Sequence, residues 1–170
     1  GKSKLTNVEG GLLADDMGLG KTYTALGGVN QIYKVSQSEK PVLIIAPLSL
    51  LQNCADEVDK TFKTSPFTDV VILNGPILKS YKVGSKETKA TKKEGDNENE
   101  FLPNYSLKVG SNYGLKRLDM PKRLVVTTYE TLRDYQFSFG SIDWLVTIFD
   151  EAQNIKNPNT LASRAAKALK

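Results

Sequence analysis

Two short clusters in this sequence hold residue types suited to phosphate chemistry. The first is DDMGLGKT, Asp15 to Thr22. Glycines at 18 and 20 let backbone N–H groups turn inward and approach a phosphate closely. Lys21 can reach the β- and γ-phosphates as a point charge, and Thr22 can offer its hydroxyl to Mg²⁺. Asp15, Asp16, Met17, Gly18, Leu19 and Gly20 form the loop that would wrap a nucleoside triphosphate. This is the P-loop, or Walker A, arrangement, with one departure. The usual pattern has Gly or Ala five residues before the final Gly, and Asp15 stands there. Gly-Lys-Thr alone is a common turn that binds nothing. The cradle needs a strand before it and a helix after it, whose unpaired N–H groups and dipole favour an anion.

The second cluster is Asp150 and Glu151, at the end of WLVTIFD. Asp150 would hold Mg²⁺, directly or through water, because Mg²⁺ takes one or two carboxylates and keeps several waters. Glu151 would polarise and orient an attacking water, an effect of about 10²–10⁴-fold. Two carboxylates at a helix N-terminus can also serve the dipole alone. Their place at the end of an apolar strand, in a chain with a P-loop, favours the chemical role.

The elements that must carry these clusters follow from hydrophobic spacing. GLLA (Gly11 to Ala14) reads as a short strand. Lys21 to Val35 reads as a helix, with Thr24, Leu26, Val29, Ile32 and Tyr33 near helical spacing. PVLIIAP (Pro41 to Pro47) is a proline-bounded apolar run typical of a strand covered on both faces. Ser49 can cap a helix running to about Phe62. DVVILN (Asp69 to Asn74), RLVVTTY (Arg123 to Tyr129) and WLVTIFD (Trp144 to Asp150) read as further strands. A short helix runs from Glu130 to Tyr135, and Asn159 caps an Ala-rich helix to the end of the chain. Apolar strands alternating with helices predict an α/β fold: a mainly parallel sheet in three layers, with helices on both faces. Such folds place ligands at the carboxyl ends of the strands, where both clusters fall.

The chain has 170 residues, 39% of them apolar and 25% charged, enough for one domain with a real core. No apolar run approaches the ~20 residues of a membrane span, so no membrane partner is expected. One cysteine and no histidine rule out an internal disulfide and leave too few ligands for a structural zinc site. A reducing compartment suits this: the cytoplasm, or the nucleus in a eukaryote. The net charge of +4 is uneven. Pro76 to Lys122 holds 10 Lys/Arg and 6 Asp/Glu, and the remainder 13 of each. This basic segment includes SKETKATKKEGDNENE, which is nearly devoid of apolar residues. Residues 76–121 are expected to be a surface insertion, partly flexible, with SLKVGSNYGLKRL adding a small element.

In combination these stretches resemble the first RecA-like lobe of SWI/SNF-type ATPases in helicase superfamily two. GGLLADDMGLGKT resembles motif I, including Asp15. LIIAPLSLLQN (Leu43 to Asn53) resembles motif Ia, LVVTTYETLR (Leu124 to Arg133) motif Ib, and IFDEAQNIKNPNT (Ile148 to Thr160) motif II and beyond. The resemblance implies ATP hydrolysis with Mg²⁺, coupled to tracking along double-stranded DNA and remodelling of DNA-bound proteins. It assigns Lys21, Thr22, Asp150 and Glu151 to nucleotide, metal and water. Gln153 would relay nucleotide state to the DNA face, and Gln at this place points to a bacterial-type member. Pro47, Leu48, Ser49, Thr127, Thr128 and Tyr129 would lie along the DNA backbone. The other reading of the threonines is β-branched strand packing.

The resemblance also implies parts that the 170 residues lack: an adenine-recognition segment upstream, a Thr-Gly-Thr-Pro type motif, and a second RecA-like lobe with arginine fingers worth about 10³–10⁵ in rate. The expectation is one lobe of a longer two-lobe motor, nearly inactive in isolation. Other P-loop enzymes fit less well. No Asn-Lys-x-Asp guanine signature occurs, and Arg117, Arg123, Arg133 and Arg164 are too few for a kinase lid. A nucleotide-binding docking module stays open.

Overall fold

A computed structural model describes residues 21–84 and 106–150. In chain order the described elements are α1 (Lys21–Ser36), β1 (Val42–Ile45), a 3-10 turn (Leu48–Leu50), α2 (Leu51–Thr61), β2 (Asp69–Ile72) and α3 (Gly75–Tyr81). A 3-10 segment (Ser111–Lys116), β3 (Arg123–Thr127), α4 (Tyr129–Asp134), α5 (Gln136–Gly140) and β4 (Val146–Phe149) follow. The expected strand at Gly11 to Ala14 and the helix after Asn159 lie outside the described residues. Among the described residues, no helix is long and apolar enough to cross a membrane.

The four described strands form one parallel sheet in the order β2-β3-β1-β4. β1 and β3 are central and buried at every position, as continuous Val/Ile/Leu runs require. Alternate side chains leave on opposite faces. Leu43, Ile45 and Val125 meet Leu132, Phe139 and Trp144 on one side. Val42, Ile44, Leu124 and Val126 meet Leu26, Val29, Leu51 and Val58 on the other. Helices α1 and α2 therefore cover one face and α4 and α5 the other: three layers. Each fully buried aliphatic side chain contributes about 1.5–3 kcal/mol.

The inward stripe of α1 is Leu26, Val29 and Tyr33. Thr24 and Ile32, which the spacing had included, face solvent. The helix ends where Gln37 takes φ 51°, a left-handed residue whose N–H returns to the Tyr33 carbonyl. Ser49 is not a helix cap. It lies inside the 3-10 turn, and the residue before α2 is Leu50, with no side-chain cap bond. Pro47 starts this turn, and its carbonyl accepts from Leu50 N–H, so the chain is already turning before a serine cap could form.

The flanks of residues 76–121 reach the interior. Leu107 and Leu118 join the core beneath α4 and α5. An antiparallel bridge pairs Lys82 with Leu107, and the Leu107 N–H donates to the Ser138 hydroxyl at 2.9 Å. At the amino end of β3, the Arg123 guanidinium is buried and bound twice over by Asp69, with Nη2 to Oδ2 at 2.6 Å. It also donates to the Tyr81 hydroxyl and the Arg117 carbonyl. Burial, the largest single effect, would lower the Arg123 pKa; the hydrogen bonds to Asp69 together with charge interactions with Tyr81, Asp69 and Asp119 outweigh it and raise it. Arg123 thereby ties β2, α3 and the returning chain to one rim of the sheet.

Candidate active site

Parallel register sets the site. Ile45 pairs with Thr127 on one side and Phe149 on the other. The residues after these three strands, Ala46, Thr128 and Asp150, therefore stand in a row at the carboxyl rim. The ladder continues one step further. Ala46 N–H donates to the Thr127 carbonyl at 3.0 Å, and Asp150 N–H donates to the Ile45 carbonyl at 2.8 Å. Asp150 is thus carried by backbone hydrogen bonding to the edge of the sheet, half-buried.

Helix α1 supplies the opposite wall. Its last turn is fixed at the amino rim. The Tyr33 hydroxyl donates to the Lys40 carbonyl, its ring meets Phe67 edge-on just before β2, and the Lys122 ammonium lies over it just before β3. From Tyr33 back to Lys21 the helix climbs about 18 Å at ~1.5 Å per residue, against roughly 13 Å for a four-residue strand. Anchored at the amino rim, a helix of this length is long enough to carry its first turn, with Lys21 and Thr22, as far as the rim where Asp150 stands. Both are half-buried. The loop residues Asp15, Asp16, Met17, Gly18, Leu19 and Gly20, and Glu151 and Gln153, lie outside the described residues.

The donor set fits a magnesium–triphosphate. Thr22 and Asp150 offer oxygen ligands, which Mg²⁺ prefers. Lys21 and the N–H groups in the first turn of a 16-residue helix offer positive charge to phosphates.

Two side chains that sequence reasoning did not connect to the site touch Asp150. Cys54, buried on α2, has its Sγ 3.9 Å from Asp150 Oδ2. Burial first, then the charge and hydrogen bonding of Asp150, push its thiol up to about 12. The Tyr129 hydroxyl donates to the Asp150 carbonyl at 2.7 Å. The spacing Leu51, Cys54, Val58 does point Cys54 inward, but nothing in it names Asp150 as the neighbour.

The residues expected along DNA divide into two sets. Leu48 and Ser49 are exposed and Pro47 half-exposed, on the turn after β1. Thr127 is fully buried and its hydroxyl donates to the Leu73 carbonyl at 3.0 Å. Thr128 is buried and caps α4, accepting from Thr131 N–H at 3.1 Å. Tyr129 is occupied by Asp150. The hydroxyls of this second set are spent inside the protein.

The SNF2-related domain profile matches residues 3–170. The Zorya protein ZorD of Escherichia coli O139:H28 is 38% identical over 165 residues, covering 94% of this chain and 14% of that protein. The DNA excision repair protein CSB of Oryza sativa subsp. japonica is 27% identical over 163 residues, covering 94% of this chain and 13% of that protein. Among solved structures, the Sulfolobus solfataricus SWI2/SNF2 ATPase core in complex with dsDNA superimposes with a TM-score of 0.56 at 27% identity. That match covers 92% of this chain and 25% of the solved one. The fold is accordingly the α/β, RecA-like fold of such ATPase cores. This chain spans about a seventh of the length of these two relatives.

Proposed function

The chain belongs to the SNF2-related domain family, and from that premise we propose that it is the nucleotide-binding lobe of a DNA-dependent ATPase that moves along double-stranded DNA and remodels the proteins bound there. The observation that supports this reading is the placement of Asp150 at the carboxyl rim of one parallel sheet, beside a helix α1 whose last turn is anchored at the opposite rim.

In this reading Lys21 neutralises the outer phosphates of ATP, and Thr22 and Asp150 hold Mg²⁺. The bound ion would supply charge stabilisation as the γ-phosphoryl leaves. The Glu151 carboxylate orients the attacking water and accepts its proton. Gln153, two residues on, senses the nucleotide and passes its state toward the DNA face. Leu48 and Ser49, with Pro47, make the outer DNA contact; backbone contacts of this kind position a protein without reading sequence. Thr127 and Thr128 brace that face from behind. A second RecA-like lobe of the same polypeptide would complete the site with arginines, so the 170 residues alone would hydrolyse ATP slowly or not at all.

The test is Glu151→Gln in the full-length protein. ATP turnover stimulated by double-stranded DNA should be abolished, with ATP binding retained. A variant that keeps its cellular function without turnover would mark a docking module and overturn the motor reading.

A further inference from the structure

Asp150 is held by its backbone as well as by its place in the strand. Its N–H is bound by Ile45 of β1. Its C=O accepts the Tyr129 hydroxyl at 2.7 Å, from 21 residues away in sequence. The sheet order makes this second bond unusual. β1 lies between β3 and β4, so the ends of β3 and β4 are about 10 Å apart. Tyr129, the first residue of α4, reaches past the end of β1 to Asp150. Its ring packs against the core cluster formed by Leu43, Ile45 and Leu132, so packing holds the ring in place and the hydroxyl arrives already oriented.

The carbonyl of Asp150 is half of the peptide that joins it to Glu151. A planar peptide has no internal freedom. Fixing its oxygen, with the Asp150 N–H already bound to Ile45, therefore fixes the Asp150 backbone and the starting point of the Asp150 side chain. We propose that Tyr129 is a positioning residue for Asp150: its hydroxyl fixes the Asp150 carbonyl, and with it the carboxylate that would hold Mg²⁺, and links that backbone to the first turn of α4. This rests on the ATPase reading above. It replaces the role of a DNA contact for Tyr129 with that of a strut behind the DNA face. Groups that orient metal-binding residues typically cost 10–100-fold in metal affinity or activity when lost.

Tyr129→Phe in the full-length protein removes the hydroxyl and keeps the ring. Four quantities are compared with the unaltered protein: binding of a fluorescent non-hydrolysable ATP analogue across a Mg²⁺ titration and in EDTA, ATP turnover, affinity for a DNA duplex, and the thermal midpoint. The expected result is a kcat about 10-fold lower and a higher Mg²⁺ requirement for analogue binding. KM for ATP, binding in EDTA and duplex affinity should not change. An unchanged kcat with an unchanged Mg²⁺ requirement overturns the proposal. So does a fall in thermal midpoint alone, which would make the bond purely structural, or a loss of duplex affinity, which would make the hydroxyl a DNA contact. If the unaltered protein hydrolyses no ATP, the ATPase reading fails, and the Mg²⁺ titration still decides the positioning role.

Discussion

Thr127→Val separates a hydroxyl used by the fold from one offered to DNA. The side chain is fully buried, and its Oγ1 donates to the Leu73 carbonyl at 3.0 Å, bridging β3 to the end of β2. Valine keeps the branched shape and removes only the donor. Leaving a buried carbonyl without its partner costs about 1–3 kcal/mol, and the added apolar group returns about 0.8 kcal/mol. The net loss should be about 1 kcal/mol, which for a domain of this size lowers the unfolding midpoint by about 2–4 °C. Duplex binding, followed by fluorescence anisotropy at two salt concentrations, should keep both its affinity and its salt slope, because no phosphate contact has been removed. Ser49→Ala, on the exposed turn, should do the reverse: weaker duplex binding at an unchanged midpoint. A Thr127→Val protein that melts normally yet binds DNA tenfold more weakly would refute this division of labour.

Two further outcomes follow from buried groups on the α1–α2 face. Burial raises the Tyr33 pKa from 10.0 to about 12. The folded state thus holds this proton more tightly than the unfolded chain, and the contribution is complete below pH 10. Between pH 10 and about 12 the unfolded state ionises first, and about 2 kcal/mol of stability should drain away; Tyr33→Phe should lack that step in denaturant titrations, and identical alkaline profiles for the two proteins would refute it. Cys54 is 3% exposed and should resist a disulfide reagent at pH 8 while the protein is folded, then react fully in denaturant. Rapid labelling of the folded protein would show that α2 does not seal it.

The sheet was legible because its strands are runs. VLII and LVV are apolar without interruption, and a run of that kind must be covered on both faces, so strand type, parallel pairing and the position of Asp150 at a strand end could be argued residue by residue. The α1 stripe was only partly legible. At 3.6 residues per turn, Thr24 falls on the side opposite the Leu26, Val29 and Tyr33 stripe and Ile32 about a quarter turn from it, so both face solvent. Leu107 and Leu118 were not legible as core at all. Each is a single leucine among polar and basic neighbours, with no period to mark it, and each is buried because the chain returns beneath α4 and α5. The Ser49 cap failed for a local reason, since Pro47 had already begun a 3-10 turn.

The sequence by itself determined which residues could do chemistry. Lys21, Thr22 and Asp150 carry the charge and oxygen ligands that a magnesium–triphosphate requires, and no folding is needed to know it. Tertiary structure alone decided what surrounds Asp150. Cys54 lies 96 positions away along the chain and Tyr129 21. Cys54 reaches it from α2 on one face of the sheet, and Tyr129 from the start of α4 on the other, past the end of β1 between β3 and β4. Local propensity acts over a few residues, whereas contacts across a parallel sheet depend on strand order, and strand order is settled only when every apolar face finds cover at once.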